Sequence, residues 1–406
     1  MFDPYSPEFL DDPYPTYARL REESPAFHDE TWELTFFTRH DAVTAILKDR
    51  DRFGRDFRHR LDPDEVDPDI YRRIYPPQWP TWTRYIRESF IDLEPPRHTR
   101  LRRLVSKAFT RRSSEAYRPR LEEAAARILD QALESGTLNV IEDFASPIPV
   151  AMIAELMGLP AADHQQVLNW SHAIVKVFDQ NVADVDGNAA ESATRDFVAY
   201  LEEVVDERRN KPGEDLISSM VEVEDSGDTL TDEEIVGTSI LTLNAGHEAT
   251  VHAIGNGVLA LAMDSGQYRR LRGGEVTIET AVDELLRYDS PLQMFERWVL
   301  EDTEVAGARL TKGSKVGLLF GSANHDPDVF VDPERLDLAR QPNPHVSFGA
   351  GLHHCVGAPL ARVELEAALG DFASRVARVE LREASGRIRS LVFRGLENLR
   401  IDVHAA

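Results

Sequence analysis

The most informative part of this sequence is the segment Phe348-Gly349-Ala350-Gly351-Leu352-His353-His354-Cys355-Val356-Gly357. Three of these residues are glycine, which indicates unusual backbone angles or a close approach of the backbone to something flat. The residues that follow, Ala358-Pro359-Leu360, predict the first turn of a helix, because proline is favoured there. Cys355 therefore lies just before a helix N-terminus, where the dipole and free N–H groups stabilise a thiolate.

Cys355 is the only cysteine among 406 residues, and several roles are open to it. A lone cysteine is most often a buried, inert side chain. It could also be a nucleophile beside a histidine, or a thiolate ligand of haem iron. Zinc is a weaker alternative, since His353, His354 and Cys355 are contiguous and no second pair of ligands follows.

Composition narrows the protein class. One cysteine excludes an intrachain disulfide and a Cys-rich metal site, and it indicates a reducing compartment. The formal charge of −25 argues against a nucleic-acid partner, because phosphate contacts need a basic surface. No apolar run reaches the roughly 18 residues of a membrane span. The N-terminus lacks the features of a signal peptide. We therefore expect a cytoplasmic protein without a membrane anchor.

The spacing of apolar residues predicts a mainly α-helical chain with a minor β region, in one domain over residues 1–406. The longest helix is expected from Thr231 to Met263, where Thr231 and Glu234 fit a capping box. The other helices are predicted at 115–134, 147–158, 164–178, 190–209, 275–288 and 358–375. Strands are predicted at 293–300, 305–309 and 314–319, with short strands in 378–403.

The pattern Phe-Gly-x-Gly-x-His-x-Cys-x-Gly closely resembles the haem-binding loop of the cytochrome P450 family. The resemblance implies the family fold, a triangular helical prism with haem b between the long central helix and the helix after the cysteine loop. It implies that Cys355 is the iron ligand and that Phe348, Gly349 and Gly357 are loop residues at the haem.

A second motif supports this resemblance. Glu284 and Arg287 place opposite charges three residues apart on one helix face, which alone is usually a surface pair of little energetic value. Here the pair precedes strand-like segments and lies upstream of Cys355, as the family's Glu-x-x-Arg motif does. The resemblance implies that Arg335, in Pro333-Glu334-Arg335-Leu336, completes this structural triad.

Cationic partners for the haem propionates are a further implication of the resemblance. The segment from Asp92 to Arg102 resembles the family segment that leads into the propionate-binding helix. Buried carboxylates require cationic or N–H partners. The expected propionate set is His98, Arg102, Arg297 and His353.

The centre of the long helix departs from the family pattern. In Ala245-Gly246-His247-Glu248-Ala249-Thr250, Gly246 matches the glycine that leaves room for dioxygen, and Glu248 matches the acid that relays protons. The next residue in the family is usually threonine, but here it is Ala249, and the hydroxyl of Thr250 points about 100° away around the helix. Water filling the gap, a hydroxyl on the substrate, or peroxide-driven chemistry are three explanations.

Substrate contacts are expected from apolar residues at the family's pocket positions, which favours a lipophilic ligand. Trp79 and Trp82 could stack on a ring-bearing substrate. It is equally consistent that they fix a proline-rich loop to the core. The other candidates are Leu241, Asn244, Ala245, Leu292, Met294, Phe295, Val392 and Phe393.

Residues 97–112 form a basic segment without a single acid, in an otherwise acidic chain. Positive charge on the thiolate side would attract an acidic electron-transfer protein. The resemblance implies a ferredoxin with a separate reductase, since this chain contains no flavin or ferredoxin domain. The candidate docking residues are Arg100, Arg103, Lys107, Arg111 and Arg112.

Together these features predict a monomeric haem-thiolate monooxygenase that uses O2 and a lipophilic small molecule. Two alternatives remain at this point. One is a peroxide-dependent or otherwise atypical enzyme, suggested by Ala249. The other is a haem-binding sensor or carrier without turnover.

Overall fold

The computed structural model describes residues 2–59, 68–87, 89–178, 184–225, 227–384 and 386–405. The chain divides into two compact units. The first comprises Met1–Gly54, Ser114–Ile148 and Ala249–Ala406, and the second comprises Arg55–Ser113 and Pro149–Glu248. The single domain over residues 1–406 stays a prediction, because two compact units do not decide whether they fold independently.

Helices dominate the described residues, as the apolar spacing predicts. They are α1 (Pro7–Asp11), α2 (Tyr14–Glu23), α3 (His40–Lys48), α4 (Pro68–Ile74), α5 (Pro80–Trp82), α6 (Arg97–Val105), α7 (Arg111–Glu115), α8 (Arg118–Ser135), α9 (Pro147–Leu156), α10 (His164–Val175), α11 (Asp184–Asn210), α12 (Leu216–Glu222), α13 (Asp232–Met263), α14 (Ser265–Arg272), α15 (Ile278–Tyr288), α16 (Phe320–Ala323) and α17 (Ala358–Arg375). Two π-helical segments, Thr83–Arg87 and Val140–Ala145, add to them.

The strands are short. They are β1 (Ala26–Asp29), β2 (Leu34–Phe37), β3 (Phe53–Gly54), β4 (Thr137–Asn139), β5 (Glu224–Asp225), β6 (Asp228–Thr229), β7 (Met294–Val299), β8 (Thr303–Val305), β9 (Ala308–Leu310), β10 (Lys315–Leu319), β11 (Val376–Ala384) and β12 (Leu399–Ala405). The single strand predicted at 305–309 is interrupted: Val305 ends β8, Ala306 and Gly307 form a turn with positive φ angles, and Ala308 begins β9.

Two β-sheets in the first unit determine where residues of the predicted site, such as Arg297, lie. The five-stranded sheet has the order β1-β2-β10-β7-β3. Strand β10 is parallel to β2 and antiparallel to β7, where Val316 pairs with Arg297. The three-stranded sheet has the order β11-β12-β4. Buried apolar side chains such as Val43, Val299 and Val316 pack into one core cluster beside the larger sheet. Strand β7 thereby fixes the backbone that carries Arg297.

Helix α13 begins as the capping box predicts. The Glu234 N–H lies 3.3 Å from Thr231 Oγ1, and the Thr231 N–H donates to Glu234 Oε2 at 2.9 Å. The helix then continues for 32 residues. Such a helix is about 48 Å long, at 1.5 Å per residue. Among the described residues, none of the helices combines the length and the apolar character that crossing a membrane requires.

Candidate functional site

Cys355 lies between a glycine-rich turn and the first turn of α17. Its backbone N–H donates to the carbonyl of Phe348 at 2.9 Å, which closes the loop. Helix α17 begins at Ala358, with proline in its first turn. The thiol of Cys355 is exposed, whereas free cysteines are among the most buried residues in proteins. An exposed thiol next to a helix N-terminus suits a thiolate that binds a ligand.

Two glycines of the loop are needed for its backbone. Gly349 and Gly351 have φ angles of +66° and +70°, which other residues rarely adopt. At Gly351 a side chain would also collide with the end of α3, because its Cβ would lie 2.2 Å from the Leu47 carbonyl oxygen. A Cβ at Gly357 would lie 3.9 Å from the Cys355 sulfur. Gly349 and Gly351 thus have steric causes in the fold, whereas a Cβ at Gly357 would make only an ordinary van der Waals contact.

Glu284 and Arg287 form a completely buried ion pair on α15, with Nε–Oε2 at 2.7 Å and Nη2–Oε1 at 2.9 Å. Arg287 also donates to the carbonyls of Asn324 and Pro333, both at 2.9 Å. The pair is therefore no surface contact. It fixes α15 to the irregular segment that leads to the cysteine loop.

The third member of this triad was predicted wrongly. The Arg340 Nε lies 3.1 Å from both carboxylate oxygens of Glu284, and its side chain is only 10 % exposed. Arg335 is exposed, and its backbone carbonyl accepts from Arg287 at 3.4 Å. The turn closed by Arg335 N–H and the Asp332 carbonyl directs residue 335 outward. The next turn carries Arg340 back to Glu284.

The expected propionate partners occupy different environments. His98 on α6 is fully buried beside Phe90, and Arg102, one turn later, is half-buried. Arg297 on β7 is 3 % exposed, and its guanidinium donates to the Glu296 carbonyl at 2.8 Å. A buried guanidinium requires an anionic or polar partner. His353 is half-buried in the cysteine loop. Their joint contact with haem propionates stays a prediction.

The centre of α13 has an accessible side. Leu241, Ala245, Glu248 and Ala249 are half-buried or exposed, whereas Leu243, Asn244, His247 and Thr250 are buried. Residues separated by four, seven and eight positions share one face of a helix. This face therefore presents two predicted pocket residues together with the acid and the alanine of the motif. Asn244 lies one position away and is buried.

Gly246 has a packing reason in addition to the predicted one. A Cβ there would lie 2.6 Å from Cδ1 of Ile153 on α9, so the missing side chain accommodates Ile153. Room for dioxygen beside Gly246 stays a prediction.

Glu364, which sequence reasoning missed, is a buried acid on α17. It is 1 % exposed, and burial raises its pKa to about 8 despite a hydrogen bond with the Thr250 side chain. Thr250 thus binds a carboxyl group nine residues after Cys355, while Ala249 has no hydroxyl to offer. A glutamate between the buried Val363 and Leu365 was the available signal in the sequence.

Trp79 and Trp82 fix the proline-rich loop and do not stand free for a substrate. They are 6 % and 1 % exposed. Gly187 on α11 gives way to Trp79, since a Cβ there would lie 1.6 Å from the indole ring. The backbone N–H groups of Thr81 and Trp82 donate to Glu191, at 3.2 and 2.8 Å. The substrate-pocket assignment of both tryptophans is therefore corrected.

Three of the predicted pocket residues of the first unit, Leu292, Val392 and Phe393, lie together, and their role in substrate binding stays a prediction. Leu292 and Phe393 form a β-bridge, and the Gln293 N–H donates to the Val392 carbonyl at 2.8 Å. Leu292, Phe295, Val392 and Phe393 are half-buried. Met294 points the other way and is 2 % exposed in a core cluster, so it is not available as a wall residue.

The basic segment is less uniform than its sequence. Arg100 is tied to acids of its own unit, with Nε 2.8 Å from Asp228 and Nη1 2.6 Å from Glu234. It is therefore withdrawn from the proposed docking set. Arg103, Lys107, Arg111 and Arg112 are exposed. Arg103 also lies 3.8 Å from Asp228, a distance compatible with exchange for an external acid.

The family model for Cytochrome P450 matches residues 67–273 and 277–375, which include the buried Glu284–Arg287 pair and the Cys355 loop. The chain belongs to the cytochrome P450 family. Its ten-residue loop, helix α13 and helix α15 are the family elements predicted from the sequence, apart from the residues corrected above.

Individual cytochromes P450 match over nearly the whole chain. The polyketide biosynthesis cytochrome P450 PksS of Bacillus subtilis is 35 % identical over 99 % of this chain and 98 % of its own. Its solved structure gives a TM-score of 0.89 with full coverage of both chains. 6-Deoxyerythronolide B hydroxylase of Saccharopolyspora erythraea is 35 % identical over 97 % of this chain and 96 % of its own.

A further solved structure shows P450BioI in complex with an acyl carrier protein that carries hexadec-9Z-enoic acid. It is 32 % identical, covers 98 % of this chain and 99 % of its own, and gives a TM-score of 0.89. The P450 fold is therefore shared at high similarity with a cytochrome P450 of polyketide biosynthesis and with one seen in complex with a fatty-acyl carrier protein.

The residues present fit a haem-thiolate site. The donor is an exposed thiol at a helix N-terminus, and the loop around it is closed by its own hydrogen bond. Arg297, in the same unit as Cys355, is a buried cationic side chain. Cys355 would hold the iron and Arg297 would bind a propionate, while the propionate contacts of His98, Arg102 and His353 stay predictions.

Proposed function

We propose that this cytochrome P450 monooxygenase inserts one atom of O2 into a C–H bond of a lipophilic small molecule, with haem b as cofactor and a ferredoxin as electron donor. The exposed thiol of Cys355 at the N-terminus of α17 is the observation that carries this proposal. Bound haem supplies the activation of dioxygen. The remaining tasks fall to residues of the chain.

Orientation of the substrate is assigned to apolar side chains. Leu241 and Ala245 lie on the accessible side of α13, and Leu292 and Phe393 form one bridge in the first unit. Such side chains bind by removing apolar surface from water. 6-Deoxyerythronolide B hydroxylase and the fatty-acyl complex of P450BioI point to a macrolide- or acyl-sized substrate class.

Proton supply is assigned to two acids. The Glu248 carboxylate can take up and release a proton at the accessible face of α13. The Glu364 carboxyl holds a proton at neutral pH because burial raises its pKa to about 8, and Thr250 shares a hydrogen bond with it. The Thr250 hydroxyl can therefore exchange a proton with Glu364, although Ala249 itself cannot.

A substitution at Ala249 tests whether the enzyme lacks a hydroxyl that it needs or supplies protons by another route. If a hydroxyl at position 249 is simply missing, Ala249→Thr should raise the fraction of reductant that ends in product. Unchanged coupling of reductant to product would refute a missing-hydroxyl explanation. Thr250→Val removes the hydroxyl that shares a hydrogen bond with Glu364, and it should lower this fraction if that pair supplies the proton.

Electron supply is assigned to an acidic ferredoxin. The exposed Arg103, Lys107, Arg111 and Arg112 offer it a positive surface. A monomeric, cytoplasmic protein is part of the same proposal, and the single cysteine supports the reducing compartment.

A reconstituted assay tests the proposal. Compounds are first screened for the spectral shift that accompanies displacement of water from haem iron, and the best binder is incubated with ferredoxin, reductase, NADPH and 18O2. One labelled oxygen atom in the product is expected. Product formed only with peroxide would favour the peroxide-dependent alternative. Binding without product under both conditions would favour a sensor or carrier.

A further inference from the structure

Two consecutive acids on α15 serve different parts of the structure. Successive helical residues point about 100° apart. Glu284 is fully buried between Arg287 and Arg340. The preceding residue, Asp283, is partly exposed, and its Oδ1 lies 3.0 Å from Arg362 Nε and 3.3 Å from His345 Nε2. Both partners hold the pKa of Asp283 below its usual range, even though burial alone would raise it.

The two partners of Asp283 meet at one aromatic ring. The Arg362 guanidinium carbon lies 4.5 Å from the centroid of the Phe348 ring, a cation–π distance. The His345 ring lies 6.0 Å from the same ring. Phe348 in turn accepts the Cys355 backbone N–H through its carbonyl, at 2.9 Å. A short chain of contacts therefore joins Asp283 to the loop of Cys355.

The backbone next to Phe348 is fixed by separate bonds. The Ser347 hydroxyl lies 2.8 Å from the Leu286 carbonyl and 2.9 Å from Asn324 Nδ2. The Val346 N–H donates to Asn324 Oδ1 at 2.8 Å. Loss of Asp283 should therefore leave the segment folded, while the Arg362 guanidinium and the Phe348 ring lose their anchor.

We propose that Asp283 is a positioning residue, which holds Arg362 and His345 against Phe348 and thereby keeps the Cys355 loop in the geometry that binds iron as a thiolate. This inference rests on the proposed ligation of haem iron by Cys355. Asp283 lies outside the Glu284–Arg287–Arg340 network, and the inference gives it a separate function. Arg362 then serves to hold the Phe348 ring in place.

The test follows the thiolate-specific absorption band of the carbon monoxide complex of the holoenzyme in mild denaturant. Asp283→Ala and Arg362→Ala should each speed the loss of this band by about two- to fivefold, the range of a partly exposed cation–π contact. Because Arg362 acts through Asp283, the double variant should be no faster than Asp283→Ala alone. Asp283→Glu should restore most of the wild-type rate.

Glu279→Ala is the matched control, since it removes an exposed acid one turn earlier on the same helix. It should leave the rate of band loss unchanged. The reduction potential of each variant gives a second readout, expected to shift in Asp283→Ala and Arg362→Ala but not in Glu279→Ala.

Several results would overturn the inference. Wild-type band loss in Asp283→Ala would do so, as would independent, multiplying effects of Asp283 and Arg362. A lowered melting temperature with an unchanged band and potential would reduce Asp283 to a structural role. A wild-type protein without any thiolate band would instead refute the proposed function itself.

Discussion

The cysteine loop and the centre of helix α13 differ in how their polar groups are satisfied. In the loop segment, Ser347 and Asn324 bind each other and neighbouring backbone groups, and the Cys355 N–H has the Phe348 carbonyl. In α13, Asn244 Oδ1 and His247 Nε2 are buried, and among the described residues neither atom has a hydrogen-bond partner. The loop is determined by contacts within the chain, whereas the helix centre retains polar capacity for other groups.

The two regions therefore have different roles: the cysteine loop provides a fixed structure, and the centre of α13 provides groups for the reaction. Internal hydrogen bonds make the loop rigid before any ligand is bound, which suits a metal ligand. Buried polar atoms without partners cost free energy, which makes the centre of α13 a candidate position for binding another group. The thiolate side can therefore be read from a motif, while the course of oxygen activation depends on residues such as Ala249 and Glu364.

The largest effect on the segment that leads to the cysteine loop is expected when Arg340 is replaced by alanine. Glu284 would lose a buried ionic partner, which should lower the free energy of unfolding by about 3–5 kcal/mol and reduce haem retention. Arg335→Ala is the control, because its contact with Arg287 is made by the backbone and should change stability by at most about 0.5 kcal/mol. Urea unfolding of both variants measures the difference. Equal losses in both would contradict the reassigned triad.

The next effect concerns the buried acid beside α13. Because the folded protein raises the pKa of Glu364 to about 8, folding favours its protonated form. Its contribution to stability is complete below the unfolded pKa of about 4.3 and is lost as pH rises towards the folded pKa, by up to about 1.4 kcal/mol per pH unit. Glu364→Gln should remove this slope.

Denaturant unfolding from pH 5 to pH 9 measures the prediction. Wild type and Glu364→Gln should be similar at the acidic end, and the variant should be the more stable protein at the alkaline end. Parallel stability curves would show that Glu364 is ionised in the folded state, and its role as a proton store would then fail.

The smallest effect is expected at the exposed basic segment. Arg103→Glu with Lys107→Glu should slow reduction by ferredoxin about tenfold at low salt and flatten its salt dependence. Arg269→Glu with Arg309→Glu makes the same change in net charge in the first unit and should leave the rate unaffected. Stopped-flow reduction distinguishes them. Equal slowing in both pairs would indicate a general charge effect without a docking surface.

Features that depend on residues close together in the sequence were predicted correctly, whereas features that depend on distant residues were missed. The Thr231 capping box, the start of α17 with Pro359 in its first turn, and the hydrogen-bonded turn before Cys355 depend on residues close in sequence, and the structure contains them. Arg340 was missed because only the path of the irregular segment decides which arginine returns to Glu284. Glu364 and Asp283 were missed because their proposed roles depend on contacts with Thr250 and Arg362, which are far away in the sequence.

Trp79 and Trp82 illustrate the same limit of prediction from sequence. A loop rich in proline and tryptophan is compatible with substrate stacking and with packing. The decision came from Gly187, about a hundred residues later, whose missing side chain accepts Trp79. Sequence spacing alone does not reveal such a fit between distant elements.

The most direct measurement of the central claim is the reduced carbon monoxide difference spectrum of the wild-type protein and of Cys355→Ser. Since Cys355 is the only cysteine, no other thiol can replace it. The wild type should show the red-shifted band of thiolate-ligated haem, and Cys355→Ser should lose that band completely. A wild-type spectrum without the band, or a Cys355→Ser variant that retains it, would contradict the assignment of Cys355 as the iron ligand.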